Sequence, residues 1–212
     1  MGIIAKKHEE SYVEYRNRAV NSISPSFCGA KWYNATIWLG NGTTASCHHP
    51  PAHKIPLEEV ALSHKAIHNT QYKKLIRKQM LEGEFPKECE YCWKIEGLGE
   101  DKVSDRVFKS SEDWSWPLRD QIIGSNWRDD FNPRYVEVAF SNACNFKCSY
   151  CSPTFSTQWM DEIQQYGGYK TTDSFNDLKH LAAEQKVTIP MREHNPYVEA
   201  FWKWWPELYR DL

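Results

Sequence analysis

Seven cysteines dominate the chemistry open to this 212-residue chain: Cys28, Cys47, Cys89, Cys92, Cys144, Cys148 and Cys151. Their spacing separates four from three. The last three read CNFKCSYC, a C-x3-C-x2-C loop, and the first four are two single cysteines followed by C-x2-C. An odd number cannot pair completely into disulfides, and a reducing compartment disfavours stable disulfides in any case. Four thiolates can close a site around a metal ion or a cluster, whereas three on a four-iron cluster leave one iron open. Closed sites hold and carry electrons; open sites bind substrate or cofactor. A structural zinc ion needs the same four sulfurs as a closed cluster, so the four-cysteine set admits either. His48, His49 and His53 lie near Cys47 and could serve as ligands or orient neighbours by hydrogen bonding. The three-cysteine loop admits zinc only with a distant histidine as fourth ligand.

These side chains need elements to hold them. Residues 33–39 are rich in aromatic and β-branched types, Gly40-Asn41-Gly42 is a turn signal, and residues 43–47 return. That pattern predicts a β-hairpin with Cys28 before it and Cys47 at its far end. Cys89 and Cys92 fit one short turn of helix. Residues 57–63 and 70–82 predict helices. In the second, Tyr72, Leu75, Ile76 and Met80 share a face, with Gly83 as C-terminal cap. Lys73, Lys74, Arg77 and Lys78 lie off that face, as a solvated surface or a docking patch for an acidic partner. Residues 135–141 alternate as a strand that runs into the three-cysteine loop. Residues 156–166 predict a helix ended by Gly167-Gly168, and the polar stretch 169–194 reads as an insertion. Asn195-Pro196 opens a closing helix with Phe201, Trp202, Trp204 and Trp205, kinked or restarted at Pro206.

The segment YVEVAFSNACNFKCSYC resembles the start of a radical S-adenosylmethionine (SAM) enzyme barrel, in which a first strand enters a C-x3-C-x2-C loop with an aromatic residue before the last cysteine. The resemblance implies that Cys144, Cys148 and Cys151 hold a [4Fe-4S] cluster and that SAM chelates the open iron. One-electron reduction then cleaves SAM to methionine and a 5′-deoxyadenosyl radical, which abstracts hydrogen from substrate. It also places Tyr150 against the adenine, with plain packing as the alternative. The pattern C-x13-G-x4-C over Cys28, Gly42 and Cys47 resembles the opening of SPASM and twitch domains, which carry auxiliary Fe–S clusters. Cys89 and Cys92 then supply the later ligands. Such domains commonly follow the barrel, whereas this one precedes it. The resemblance runs from about residue 26 to the end. The family's barrel has several further β/α units and a Gly-Gly-Glu-type segment for the SAM amino group; here Gly167-Gly168 is followed by Tyr169. The chain therefore reads as an N-terminal fragment or half of a split protein. The partners implied are the missing C-terminal barrel portion, an electron donor such as flavodoxin or ferredoxin, and a substrate that is a peptide, a protein or a small molecule.

Acids number 28 and bases 26, a formal net charge of −2, so no basic stripe draws the chain to nucleic acid. Ten Trp, 11 Tyr and 9 Phe offer apolar surface to bury and oppose disorder. No apolar run is long enough to span a membrane, and the opening MGIIAKKHEESYVEYR has no signal-peptide hydrophobic region, which predicts a cytoplasmic protein. The expected fold class is α+β, mostly helical and irregular, with a Cys-bearing β-hairpin domain and the first β/α unit of an incomplete radical SAM (partial TIM-like) barrel. The expected organisation is an N-terminal segment 1–27, a twitch/SPASM-like auxiliary cluster domain 28–97, a connector 98–133 and the start of the barrel at 134–212. On that plan the strand at 135–141 has no neighbour, and the aromatic face of the last helix has no sheet to cover. Glu137 and Ser141 face either the barrel interior or solvent. The expected function is that of a radical SAM enzyme part assisted by an auxiliary Fe–S cluster. The alternative is a metal-stabilised (Zn or Fe–S) binding or electron-transfer module without SAM chemistry of its own.

Overall fold

In the computed structural model, which describes residues 5–170 and 177–212, the Gly40-Asn41-Gly42 turn closes a hairpin between β1 (Asn34–Trp38) and β2 (Thr43–Ala45). The two pair antiparallel, with Thr36 opposite Ala45 and Trp38 opposite Thr43. β3 (His53–Lys54) adds antiparallel to β2, and β4 (Tyr135–Ala139) runs parallel to β1, from Asn34 opposite Tyr135 to Trp38 opposite Ala139. The result is a small mixed sheet in the order β3-β2-β1-β4. β4 is therefore not the neighbourless strand expected from the barrel plan. β1 carries backbone donors and acceptors along both edges, and β4 satisfies the edge that β2 leaves open.

Short helices surround the sheet. They are α1 (Tyr12–Tyr15), α2 (Ala30–Tyr33), α3 (Leu57–Leu62), α4 (Gln71–Leu81), α5 (Glu90–Glu96), α6 (Asp105–Ser111), α7 (Arg119–Ile123), α8 (Thr157–Tyr166), α9 (Leu178–Ala183) and α10 (Pro196–Asp211). Their ends carry the expected chemistry. Ser11 and Glu14 form a reciprocal capping box at α1, Thr70 caps α4, and Gly83 follows α4 at a φ of +79°. Among the described residues no helix is long and apolar enough to cross a membrane.

Two apolar clusters hold the chain together. One gathers Tyr15, Phe27, Trp32, Met80, Val107 and Phe131; the other joins Ile37, Leu39 and Ile55 to Tyr197, Phe201 and Trp204. The first draws on both the 1–27 segment and the 98–133 stretch, so neither is a tail or a linker. Each supplies large apolar side chains that a hairpin and two short helices cannot bury alone. The second cluster shows that α10 covers the sheet, which removes the expected uncovered face. Asn195 Oδ1 accepts from the backbone N–H groups of Tyr197 and Val198, while its Nδ2 donates to the Leu39 carbonyl at 2.9 Å. Pro206 lies inside α10, which continues through it. Of the stretch 169–194, residues 171–176 lie outside the described residues. Part of the remainder packs down: Leu181 is buried, and the Ile189 N–H donates to the Gly40 carbonyl at 2.7 Å.

α4 departs from the expected face. Its inward stripe is Lys73, Ile76, Arg77 and Met80, while Tyr72 and Leu75 stand partly exposed. The i, i+3, i+4, i+7 spacing suits this set as well as the apolar one. Polar acceptors waiting in the interior decide between them.

Candidate metal centres

Four elements deliver the first four cysteines to one place. Cys28 precedes α2, Cys47 follows β2, Cys89 ends the short turn Lys87–Cys89, and Cys92 lies on α5. All are free thiols lining a single cavity with Lys31, Ser46, His49 and Trp93. Gly29 lets Cys28 approach: a Cβ there would lie 2.0 Å from Ser115 Oγ. Trp93 Nε1 donates to the Pro86 carbonyl at 2.9 Å and so ties down the C-x2-C turn. Burial pushes the Cys28 thiol pKa up, and Cys47, Cys89 and Cys92 push it further. Burial also raises Cys47, and it raises Cys89 to about 11 against the opposing pull of the Lys31 ammonium. Crowded buried thiols resist ionising alone, and a bound cation releases their protons.

A single zinc ion would need these four sulfurs drawn closer together than they stand. A tetrahedral zinc with Zn–S bonds of about 2.3 Å brings its sulfurs to about 3.8 Å from one another. Among the described residues, no three of these cysteines bring their sulfurs within 4.8 Å of one another; His48, His49 and Asp105 form the one such group. Ser46 Oγ, on the same cavity wall, is buried without a hydrogen-bond partner. A sulfide- or thiolate-rich occupant offers the acceptor it lacks.

A buried polar group surrounds this cavity, and the sequence reading missed it. Lys31 is buried against Glu88, with which it forms an ion pair. Burial alone would lower the Lys31 pKa, but Cys89, Glu88 and Cys47 outweigh it and the ammonium stands above its usual range. Lys73, only 2% exposed, donates to Thr44 Oγ1 at 2.9 Å and to the Ala45 carbonyl at 3.3 Å. Burial, the Arg77 charge and the Lys31 charge press the Lys73 pKa well down. Arg77 is fully buried and donates to the Lys31 carbonyl at 2.9 Å and to Asn69 Oδ1 at 2.8 Å. Lys73 and Arg77 form neither the solvated face nor the docking patch expected of them; the interior acceptors draw them inward. Two cues stood in the sequence: Lys31 lies three residues after Cys28, and Glu88 directly precedes Cys89.

The three-cysteine loop is more open than the four-cysteine site, where Cys28, Cys89 and Cys92 are buried and Cys47 is partly exposed. Cys144, Cys148 and Cys151 are each partly exposed, and Tyr150 is 91% exposed. Plain core packing for Tyr150 is thereby excluded; its hydroxyl hydrogen-bonds to Cys148, which raises its pKa. The start of α8 holds the loop. Thr157 Oγ1 donates to the Cys144 carbonyl at 2.9 Å, Ser156 Oγ to the Phe146 carbonyl at 2.7 Å, and Trp159 Nε1 to the Cys148 carbonyl at 3.0 Å. The Phe146 N–H donates to Cys144 Sγ at 3.4 Å. Glu137 is exposed on β4 and accepts from Tyr135 Oη at 2.8 Å.

The histidines divide. His49 Nε2 lies 2.8 Å and His48 Nε2 3.3 Å from Asp105 Oδ2, and the His49 ring stacks on Tyr91. His53 instead bonds Thr70 Oγ1 at 2.9 Å, away from the four-thiol cavity. No protein-family model matches the chain, and no curated protein and no solved structure matches it either.

Proposed function

We propose that this chain is an iron–sulfur protein of the radical SAM type. On this reading Cys144, Cys148 and Cys151 hold a [4Fe-4S] cluster with one open iron, and Cys28, Cys47, Cys89 and Cys92 hold a second, closed cluster. The observation that carries it is the contrast in access. Four thiols share one enclosed cavity, while three sit on a solvent-facing loop beside the exposed ring of Tyr150. Carrying electrons suits an enclosed site, and binding a cofactor needs an open one. A bound cluster with an open iron supplies one-electron reductive cleavage of SAM to a 5′-deoxyadenosyl radical for hydrogen abstraction. The chain's own part is to present three thiolates, fixed by Thr157, Ser156 and Trp159, and to offer Tyr150 as a surface for the adenine. The partners this reading carries are a peptide, protein or small-molecule substrate and an electron donor such as flavodoxin or ferredoxin. Seven free thiols favour a reducing, cytoplasmic setting.

A second reading is an electron-transfer or metal-stabilised binding module without SAM chemistry. It is favoured by the sheet, in which β4 joins the cysteine hairpin and so forms part of its core. Anaerobic reconstitution separates the two. Both readings with two clusters expect about eight irons per chain, and alanine at Cys144, Cys148 and Cys151 removes about half. Under the first, SAM alters the spectrum of the reduced protein and 5′-deoxyadenosine forms in a Cys148-dependent way. Iron uptake with no response to SAM supports the second. Retention of one zinc and about four irons returns the four-cysteine site to structural zinc.

A further inference from the structure

We propose that Lys31 and Lys73 form a buried cationic wall behind the four-cysteine cavity, which holds its occupant as a dianion and raises the potential at which it accepts an electron. The proposal rests on the iron–sulfur reading above. Lys31 lines the cavity, bonded to Glu88 and close enough to Cys89 to donate to its sulfur. Lys73 stands behind the strand that leads to Cys47. Its partners are Thr44 Oγ1, the Ala45 carbonyl and His68 Nδ1, all neutral. Arg77 beside it bonds the Lys31 carbonyl and Asn69. Among the described residues no carboxylate bonds Lys73 or Arg77, and Glu88 is already engaged by Lys31.

Elsewhere on the cavity wall Arg106 pairs with Glu96 at 2.6 Å, and His49 Nε2 lies 2.8 Å from Asp105 Oδ2. Lys109 adds a further positive group to the lining. The interior here thus carries more positive than negative charge. Burying an ammonium without an anion is costly, which is what presses the Lys73 pKa down, and an anionic occupant of the cavity offsets that cost and keeps the ammonium charged. A [4Fe-4S] centre with four thiolates carries two negative charges when oxidised and three after accepting an electron from an external reductant. Fixed positive charge and N–H donation to sulfur stabilise the more negative form, which raises the potential. Lys31 acts through the Cys89 sulfur and Lys73 through its charge behind β2, so both are positioning residues.

The test is a dithionite titration followed by electron paramagnetic resonance on the full chain, in a Cys144→Ala/Cys148→Ala/Cys151→Ala background so that one cluster reports. Lys73→Met and the paired Lys31→Met/Glu88→Gln remove the charges; the pairing avoids stranding Glu88 as a lone buried carboxylate. Each is expected to weaken reduction about tenfold, about 59 mV for one electron, and to hasten iron loss to a chelator. Lys73→Gln gives the same shift should the Met variant not fold. Lys94→Met, which breaks an exposed pair with Glu90 on α5, leaves the potential unchanged because water screens it. Folded, iron-loaded charge variants with the parental potential overturn the proposal and leave the iron–sulfur reading standing. A parent chain that takes up no iron overturns both.

Discussion

His53 and His68 show how individual residues respond to the buried cations. His68 Nε2 lies 2.8 Å from the Trp32 carbonyl oxygen and 3.0 Å from Arg77 Nη2, and its Nδ1 lies 3.3 Å from Lys73 Nζ. Burial and then the Lys73 charge lower the His53 pKa to about 3, and burial with Lys73 and Arg77 presses His68 well below its usual value. Both are neutral when folded and gain a proton only on unfolding. The stability they contribute is present above about pH 6.5 and is lost as the pH falls toward the folded values. Each site is expected to cost roughly 1.4 kcal/mol per pH unit across that window. Urea midpoints between pH 7 and pH 4 read this slope, and His53→Gln should flatten it. An unchanged slope in the variant assigns the loss to other groups.

At the level of elements, the glycine of C-x13-G-x4-C has a packing reason. Gly42 sits at a φ of +63°, and a Cβ there would lie 2.1 Å from the Tyr197 ring on α10. Tyr197 Oη in turn donates to the Ile55 carbonyl at 3.1 Å, next to β3. The hairpin turn and the last helix therefore fit only if residue 42 has no side chain. Gly42→Ala combines overpacking with left-handed backbone strain and should destabilise the protein by about 2–4 kcal/mol. Adding Tyr197→Ala relieves the overlap and leaves the strain, so the two changes should cost less together than their sum. Thermal melts of both single variants and the double variant measure this coupling. Simple additivity would remove the contact from the explanation.

For the whole molecule, the two cysteine sets carry unequal structural weight. The four-cysteine cavity joins segments at 28, 47, 89 and 92 at the edge of the apolar cluster that holds Trp32 and Met80, whereas the 144–151 loop is fastened by hydrogen bonds from α8. Metal at the first site should act as a folding staple. In metal-loaded protein Cys92→Ala is expected to lower the melting temperature well below that of the parent. Cys148→Ala should leave it within a few degrees, and stripping the metal should bring the parent down to the Cys92→Ala value. Equal melting temperatures for the two variants would count against the staple.

The sequence by itself determined what is local. Cysteine spacing separated four cysteines from three, Gly40-Asn41-Gly42 placed the hairpin, and Asn195-Pro196 placed the start of α10, because spacing, turn conformation and capping depend on neighbours a few residues away. Tertiary structure alone decided the rest. The pairing of β4 with β1 joins residues about a hundred positions apart, and no periodic signal encodes which edge a strand will meet. The inward turn of Lys73 and Arg77 depended on acceptors contributed by Thr44, Ala45 and Asn69, which only the folded chain brings beneath α4. A helix with charged and apolar residues at the same spacing has two candidate faces, and the partner surface chooses between them.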